Sequence, residues 1–190
     1  RQTVQFSTPP VIRAAASVVG RKEGEGPLRD RFDSVSQDTY FGEKSWEQAE
    51  SAMLRQCFAR VCSKAALPPE ALDYVLNQCV GSAYAMRGVG APYLGLYGAC
   101  STMAEAVSLA AMLIDGGCAE TAAALTSSHF CSAERQYRFP LEYGGVRPPT
   151  AQWTVTGAGA LILAAAGSGP RVTMATTGTI VDAGITDTNN

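Results

Sequence analysis

The chain has 190 residues, 46% of them hydrophobic, and a formal net charge of −2. That length is enough for one sizeable core. The 15 basic and 17 acidic residues are spread along the chain, which argues against a nucleic-acid-binding protein. Glycine, serine or charged residues interrupt every apolar run before it reaches the length of a membrane span, and we expect no leader segment. We therefore expect a soluble protein, or one that binds peripherally to a membrane.

The first predicted elements are a strand and an amphipathic helix. Val11–Val18 is rich in small and β-branched residues, which favours a strand. A helix is predicted from about Ser45, because Ser45 and Gln48 have the spacing of a capping box. An apolar stripe follows at helical spacing, formed by Ala49, Met53, Cys57 and Val61. This helix is expected to pack on a sheet.

The middle of the chain predicts a short strand and a long buried helix. Leu72–Leu76 is typical of a strand, and Asn77 and Gln78 follow it directly, either as site residues or as plain turn residues. The helix that follows Cys100 continues to a stop at Gly116-Gly117. It is apolar on nearly all sides, so we expect it to lie inside the protein.

Three further strands are predicted in the last third of the chain. They are Thr121–Thr126, which ends at Ser127-Ser128-His129, then Ala158–Ala166, and Arg171–Thr177. Strands that alternate with helices imply an α/β layered fold.

Cysteine usage gives no sign of a disulfide framework or a metal site. The six cysteines are at positions 57, 62, 79, 100, 118 and 131, mostly within apolar segments and without a C-x-x-C pair. We interpret them as reduced, buried thiols. With His129 as the single histidine, we expect no metal and no cofactor.

Cys100 lies between the glycine-rich stretch 94–98 and the long apolar helix. The free N–H groups and the dipole at a helix N-terminus favour negative charge, and a thiolate there is stabilised relative to the thiol. A nucleophile or an anion site is therefore one interpretation. The alternative is a cysteine that packs as a small hydrophobic residue.

Six blocks of sequence carry a family resemblance: 1–6, 24–28, 41–46, 95–102, 126–130 and 149–157. The order of a cysteine, a buried helix, a Gly-Gly stop and Thr156-Gly157-Ala158-Gly159-Ala160 before a strand resembles the N-terminal half of the thiolase and ketoacyl synthase superfamily. The blocks themselves resemble one branch, the stage V sporulation protein AD family of endospore-forming bacteria. The resemblance covers nearly the whole chain.

The resemblance implies a thiolase-like fold, with residues 1–190 as a single domain that corresponds to its N-terminal half. The C-terminal half, which completes superfamily sites with histidines, is expected to be absent from this chain. The segment before Asn77 is expected to be shorter than in the family, which would disturb the local strand register.

The implied family role is to bind dipicolinic acid, or its calcium chelate, and to help move it into the developing spore. This role is that of a binder rather than a catalyst. The implied partners are the other products of the same operon, the SpoVA channel proteins of the spore inner membrane, on which this protein would be peripheral. A homodimer is also implied.

Dipicolinate is a flat ring with two carboxylates, so its pocket needs helix N-terminal donors, a guanidinium fork and an apolar or aromatic face. By residue type and block, we predict Cys100 and the N–H groups after it as the anion-binding end, Arg138 or Arg147 as the fork, and Trp153 or Tyr143 as the face. The predicted ligand-binding set is Cys100, Ser101, His129, Arg138, Trp153, Asn77 and Gln78.

Each role has an alternative. Arg138 would then lie along the surface, Trp153 would belong to the core or an interface, and His129 would only bond loop backbone. The competing function is acyl transfer through a Cys100 thioester, with nearby N–H groups holding the oxyanion.

Overall fold

A computed structural model of the protein describes residues 2–78, 81–132 and 154–184, apart from the side chain of Ser82. The strands are β1 (Thr3–Gln5), β2 (Val11–Val19), β3 (Ser34–Val35), β4 (Tyr74–Gln78), β5 (Tyr93–Gly95), β6 (Thr121–Ser128), β7 (Gly157–Ala164) and β8 (Met174–Thr176). The helices are α1 (Arg21–Gly24), α2 (Trp46–Ala65), α3 (Ser82–Ala85) and α4 (Thr102–Asp115). A short 3₁₀ turn, Ala99–Ser101, precedes α4.

Six of these strands form one mixed sheet in the order β3-β2-β7-β6-β4-β5. β7 is antiparallel to both β2 and β6, whereas β4 is parallel to both β6 and β5. The carboxyl ends of β4, β5 and β6 therefore meet at one edge of the sheet. β1 and β8 form a separate antiparallel pair. The predicted α/β layered class, a sheet with flanking helices, is confirmed.

Helix α2 covers one face of the sheet. Its N-cap is Ser45, whose hydroxyl accepts a hydrogen bond from the Gln48 amide at 3.3 Å, as the sequence predicted. The whole apolar stripe is buried, and α2 packs across β2, β6 and β7. The helix ends where Ala66 takes a left-handed conformation (φ 48°). The buried residues of α2 form a large part of the larger of two hydrophobic clusters.

Helix α4 covers the opposite face of the sheet and packs against β4, β6 and β7. The expectation that it is buried on nearly all sides is wrong. Its sheet-facing residues are buried, but Leu109 is 36% exposed. The physical reason is that the sheet covers only one side of an apolar helix. The outer side of α4 is therefore an apolar surface.

Strand β4 keeps an unbroken register with its neighbours. Residues 74–78 pair one for one with 122–126 of β6, so the expected disturbance before Asn77 is not observed. Asn77 and Gln78 lie inside this strand, and the turn interpretation is wrong. The start of β4 is held by Asp73, whose carboxylate accepts hydrogen bonds from the Glu120 and Thr121 amides at 2.8 and 2.9 Å. These bonds lower the pKa of Asp73.

Five of the cysteines lie in the described part of the chain, and all five are free. Cys57 and Cys62 are buried, as predicted, but Cys100 and Cys118 are exposed, so the prediction of burial is wrong for those two. Each exposed cysteine lies in a turn at one end of α4, outside the layer between helix and sheet. Among the described residues, we find no helix with the length and apolar character needed to cross a membrane.

Candidate functional site

The Cys100 turn, residues 98–102, connects β5 to α4 at the sheet edge where the parallel strands end. Ala99 has φ 43°, a left-handed conformation that a residue with a Cβ rarely adopts. Such strain persists only where the surrounding structure fixes the backbone. Cys100 follows directly and is exposed, so its thiol is accessible to reagents and ligands.

The side chain of Gln78 makes the main contacts that fix this turn. Its Oε1 accepts hydrogen bonds from the Gly98 amide at 3.1 Å and the Ala99 amide at 2.9 Å. The Thr102 hydroxyl also donates to this oxygen. One carbonyl oxygen thus gathers three donors at the N-terminal end of α4.

Contacts within the turn are equally close. The Ser101 hydroxyl and amide both donate to the Gly98 carbonyl, at 2.7 and 2.9 Å, and the Thr102 hydroxyl lies 2.8 Å from the Ala99 carbonyl. A Cβ at Gly98 would lie 2.2 Å from Glu105 Oε2 and 3.1 Å from the Thr102 amide. A larger residue at position 98 would therefore displace the Glu105 carboxyl group and crowd the Thr102 amide. Ser101 itself is exposed beside Cys100.

Asn77 and Gln78 were predicted for one site, but strand alternation sends their side chains to opposite faces of the sheet. Gln78 reaches the α4 side. Asn77 is 0% exposed, and neither its Oδ1 nor its Nδ2 has a hydrogen-bond partner among the described residues. A buried amide without partners is uncommon and costly. The Asn77 backbone carbonyl accepts from the Leu96 amide at 3.0 Å, so it links β4 to the segment after β5.

His129 lies on the α2 side of the sheet, where its ring packs against Trp46 and Phe130 with centroids 5.2 and 5.1 Å away. Its Nε2 lies 2.9 Å from the Thr39 carbonyl, which can only accept, so Nε2 carries the proton. Nδ1 accepts from the Cys131 amide at 3.3 Å. Burial lowers the pKa of His129 below 6.5, against the opposing effects of the Thr39 contact, Glu23 and Glu47.

A buried polar cluster beside β6 was not predicted. Glu50 of α2 is 1% exposed, and its carboxylate accepts from the Ser127 and Ser132 hydroxyls at 3.0 and 2.6 Å. In the sequence, this cluster could have been recognised from a glutamate on the apolar side of α2, next to the stripe residue Ala49. Charge-assisted hydrogen bonds of this kind fix the end of β6 against the helix.

The predicted guanidinium fork and aromatic face, Arg138 or Arg147 and Trp153 or Tyr143, lie outside the described residues. A hollow of about 340 Å³ on α3 is lined by Ala83, Tyr84 and Arg87. Its lining includes the phenol ring of Tyr84 and the guanidinium of Arg87, an aromatic and a cationic group like those predicted for the ligand pocket. In the sequence the two residues are three positions apart. Within the described segments, no group of three or more His, Cys, Asp or Glu side chains is arranged to hold a metal ion.

The layered sheet and helices are similar to solved structures of known fold. A substituted OleA of Xanthomonas campestris matches with TM-score 0.54 and 13% identity over 85% of this chain and 57% of its own. The 3-oxoacyl-(acyl carrier protein) synthase III of Xanthomonas oryzae pv. oryzae matches with TM-score 0.53 and 15% identity, over 85% of this chain and 57% of its own. The protein therefore has a thiolase-like fold.

The sequence identifies the branch within that class. Residues 1–190 match the stage V sporulation protein AD family. The Bacillus subtilis (strain 168) stage V sporulation protein AD is 40% identical over 192 aligned residues, which cover 98% of this chain and 57% of that protein. The chain belongs to the stage V sporulation protein AD family. It spans somewhat more than half the length of this curated relative.

Proposed function

We propose that this protein binds dipicolinic acid, or its calcium chelate, and takes part in its movement into the developing spore. The observation that carries the proposal is its membership of a sporulation family, with 40% identity to the Bacillus subtilis member. The accessible Cys100 turn supports a ligand site at the sheet edge, since it joins a helix N-terminus to an exposed thiol and hydroxyl. Dipicolinate is a dianion, and a helix N-terminus favours negative charge.

In the proposed complex, Cys100 and Ser101 contact one carboxylate. His129 and Asn77 lie on the α2 side of the sheet. The His129 Nε2 is bonded to the Thr39 carbonyl and the Asn77 amide is buried, so we assign both residues to support of the sheet edge rather than to contact with the ligand. Arg138 and Trp153 remain our proposed fork and face.

Calorimetric titration of the chain with dipicolinate, with and without calcium, tests the proposal. Isophthalate is the matched control ligand because it keeps both carboxylates but lacks the ring nitrogen. We expect saturable binding of dipicolinate and weaker binding of isophthalate, with further weakening in a Cys100→Ala, Ser101→Ala double variant. Absence of saturable dipicolinate binding by the chain, and by a longer form that includes the second half, would refute the proposal.

We further propose that the protein forms a homodimer and associates peripherally with the SpoVA channel proteins at the spore inner membrane. Strand β5 supports the dimer, since it is the last strand of the sheet as described and leaves Leu94 39% exposed. An edge strand offers unpaired backbone groups to a second copy. Light scattering of the chain and of Leu94→Lys tests this, with a strict monomer in both counting against the dimer.

A second candidate function is acyl transfer by a Cys100 nucleophile. The observation that favours it is an exposed cysteine directly after a strained residue in a thiolase-like fold. Mass spectrometry after incubation with acyl-coenzyme A discriminates the two functions. An acyl adduct on Cys100, absent in Cys100→Ala, favours the transferase, whereas its absence together with dipicolinate binding favours the binder.

A further inference from the structure

We propose that Gln78 is the positioning residue of the Cys100 turn rather than a contact for the ligand. Its carbonyl oxygen holds residues 98–102 in the conformation that presents the thiol. The inference deepens the proposed function and rests on it only in treating this turn as part of the site.

The first step is the convergence of donors on one atom. Gln78 Oε1 accepts from two consecutive amides, those of Gly98 and Ala99, at 3.1 and 2.9 Å. It also accepts from the Thr102 hydroxyl. The two amides lie at the start of the 3₁₀ turn Ala99–Ser101, before the first residue of α4, Thr102. Gln78 therefore ties the segment that leads into α4 to a neighbouring strand.

The second step is the rigidity of the platform that carries Gln78. Leu76, two residues earlier on the same side of β4, is fully buried. Gln78 is in register with Thr126 of β6, whose hydroxyl donates to the Gln78 carbonyl at 3.5 Å. The side chain thus extends from a paired strand, and its position is fixed by the sheet.

The third step is the strain at Ala99. Its left-handed φ of 43° directly precedes Cys100 and needs an external restraint. The amide of this same residue is the one bound to Gln78 Oε1 at 2.9 Å. The hydrogen bond therefore acts on the strained residue itself, and through it sets the direction of Cys100.

A functional consequence follows for bound anions. The Gly98 and Ala99 amides already have an acceptor, and the Ser101 amide donates to the Gly98 carbonyl. A carboxylate at this turn would then meet the exposed thiol of Cys100 rather than the amides at 98 and 99, and the Ser101 hydroxyl would have to leave the Gly98 carbonyl in order to donate to it. Gln78 separates the groups that shape the turn from those that face a ligand.

Two substitutions test separately the loss of the hydrogen-bond acceptor at position 78 and the addition of a negative charge there. Gln78→Met keeps the side-chain length but removes the oxygen, so the Gly98 and Ala99 amides should exchange with deuterium at least about tenfold faster. Gln78→Glu keeps the acceptor, so that exchange should stay slow. Its negative charge, however, should slow iodoacetamide alkylation of Cys100 at pH 8 by about threefold or more and move the alkylation profile to higher pH.

The matched controls are Gln56→Met and Gln56→Glu, the same two changes at an exposed glutamine of α2 on the other face of the sheet, which should change neither readout. Unchanged exchange at residues 98–99 in Gln78→Met would overturn the proposal. An unaltered Cys100 alkylation profile in Gln78→Glu would do the same and can be read even if the Met variant does not fold. Neither measurement uses dipicolinate, so a failure to bind that ligand refutes the proposed function alone.

Discussion

Cys57 and Cys100 are the same side chain in opposite surroundings. Cys57 lies on the sheet-facing side of α2, with its Sγ 3.5 and 3.4 Å from the Ala16 and Ala158 carbonyl oxygens, and burial raises its pKa from 9.0 to about 12. Cys100 lies on the other side of the sheet, exposed on a turn that a neighbouring glutamine holds. The two helices therefore differ: α2 buries its cysteine in the core, whereas the turn before α4 leaves a cysteine exposed.

The largest expected difference is in thiol reactivity. At pH 8, a pKa of about 12 leaves roughly one Cys57 thiol in ten thousand ionised, and burial also excludes the reagent. Cys100 should therefore be alkylated by iodoacetamide at least about a thousandfold faster than Cys57 in the folded protein. Peptide mass spectrometry over time measures both sites. Denaturant provides the control, since it should bring the two rates together, and comparable rates in the folded state would contradict the contrast.

Stability should divide between the helices in the same way. Met53 of α2 is 0% exposed, so Met53→Ala should lower the free energy of unfolding by about 2–5 kcal/mol through lost burial and an unfilled cavity. Leu109 of α4 is 36% exposed, and Leu109→Ala should cost about 0.5 kcal/mol or less. Urea unfolding followed by circular dichroism measures both. Equal losses would mean that the outer side of α4 is covered.

Gly98 tests how closely the Cys100 turn is packed. An added methyl group would meet Glu105 Oε2 at 2.2 Å and the Thr102 amide at 3.1 Å, so Gly98→Ala should cost about 1–3 kcal/mol in unfolding free energy. Gly178→Ala is the matched control, because no described atom lies within 4 Å of the position that a methyl group would take there. The expected result is a stability loss for position 98 alone. Two neutral substitutions would show that the turn has room to move.

The smallest expected effect is the pH dependence on the α2 side. Burial depresses the pKa of His129 in the folded state below 6.5, so the unfolded chain takes up a proton more readily. Stability should be complete above pH 6.5 and fall as the pH drops from there through the lower folded pKa. Gln keeps a donor for the Thr39 carbonyl, so His129→Gln should flatten this part of the curve. Because carboxylates also titrate toward pH 4.5, the measurement is the difference between the thermal unfolding curves of the native chain and His129→Gln from pH 7 to pH 5, and His129 is the single histidine that can contribute to it.

Local signals were sufficient for the parts of the fold that depend on neighbours in sequence. The Ser45 cap, the buried stripe of α2 and the position of Cys100 between a glycine-rich loop and a helix all follow from spacing. The burial of α4 could not be predicted from spacing. An apolar sequence shows how much of a helix surface can be buried, but not how many layers of structure cover it. The exposed Leu109 of α4 is a tertiary outcome.

The site illustrates the same limit. Asn77 and Gln78 are adjacent in sequence, and placing both in one site ignored the alternation of side chains along a strand. With Leu76 assigned to the α4 side, alternation alone would have placed Gln78 beside the Cys100 turn. The contact of His129 with Thr39, 90 residues away, has no comparable local signal.

Strand β7 has a consequence for how this sheet assembles during synthesis. It lies between β2 and β6 and bonds to both, yet it is the last of the six to be made. Until residue 164 has left the ribosome, β2 with β3 and β6 with β4 and β5 lack the strand that joins them into one sheet. Their apolar side chains stay exposed during that time. Nascent chains cut before β7 should therefore depend on chaperones, whereas those that include it can close the sheet in one step.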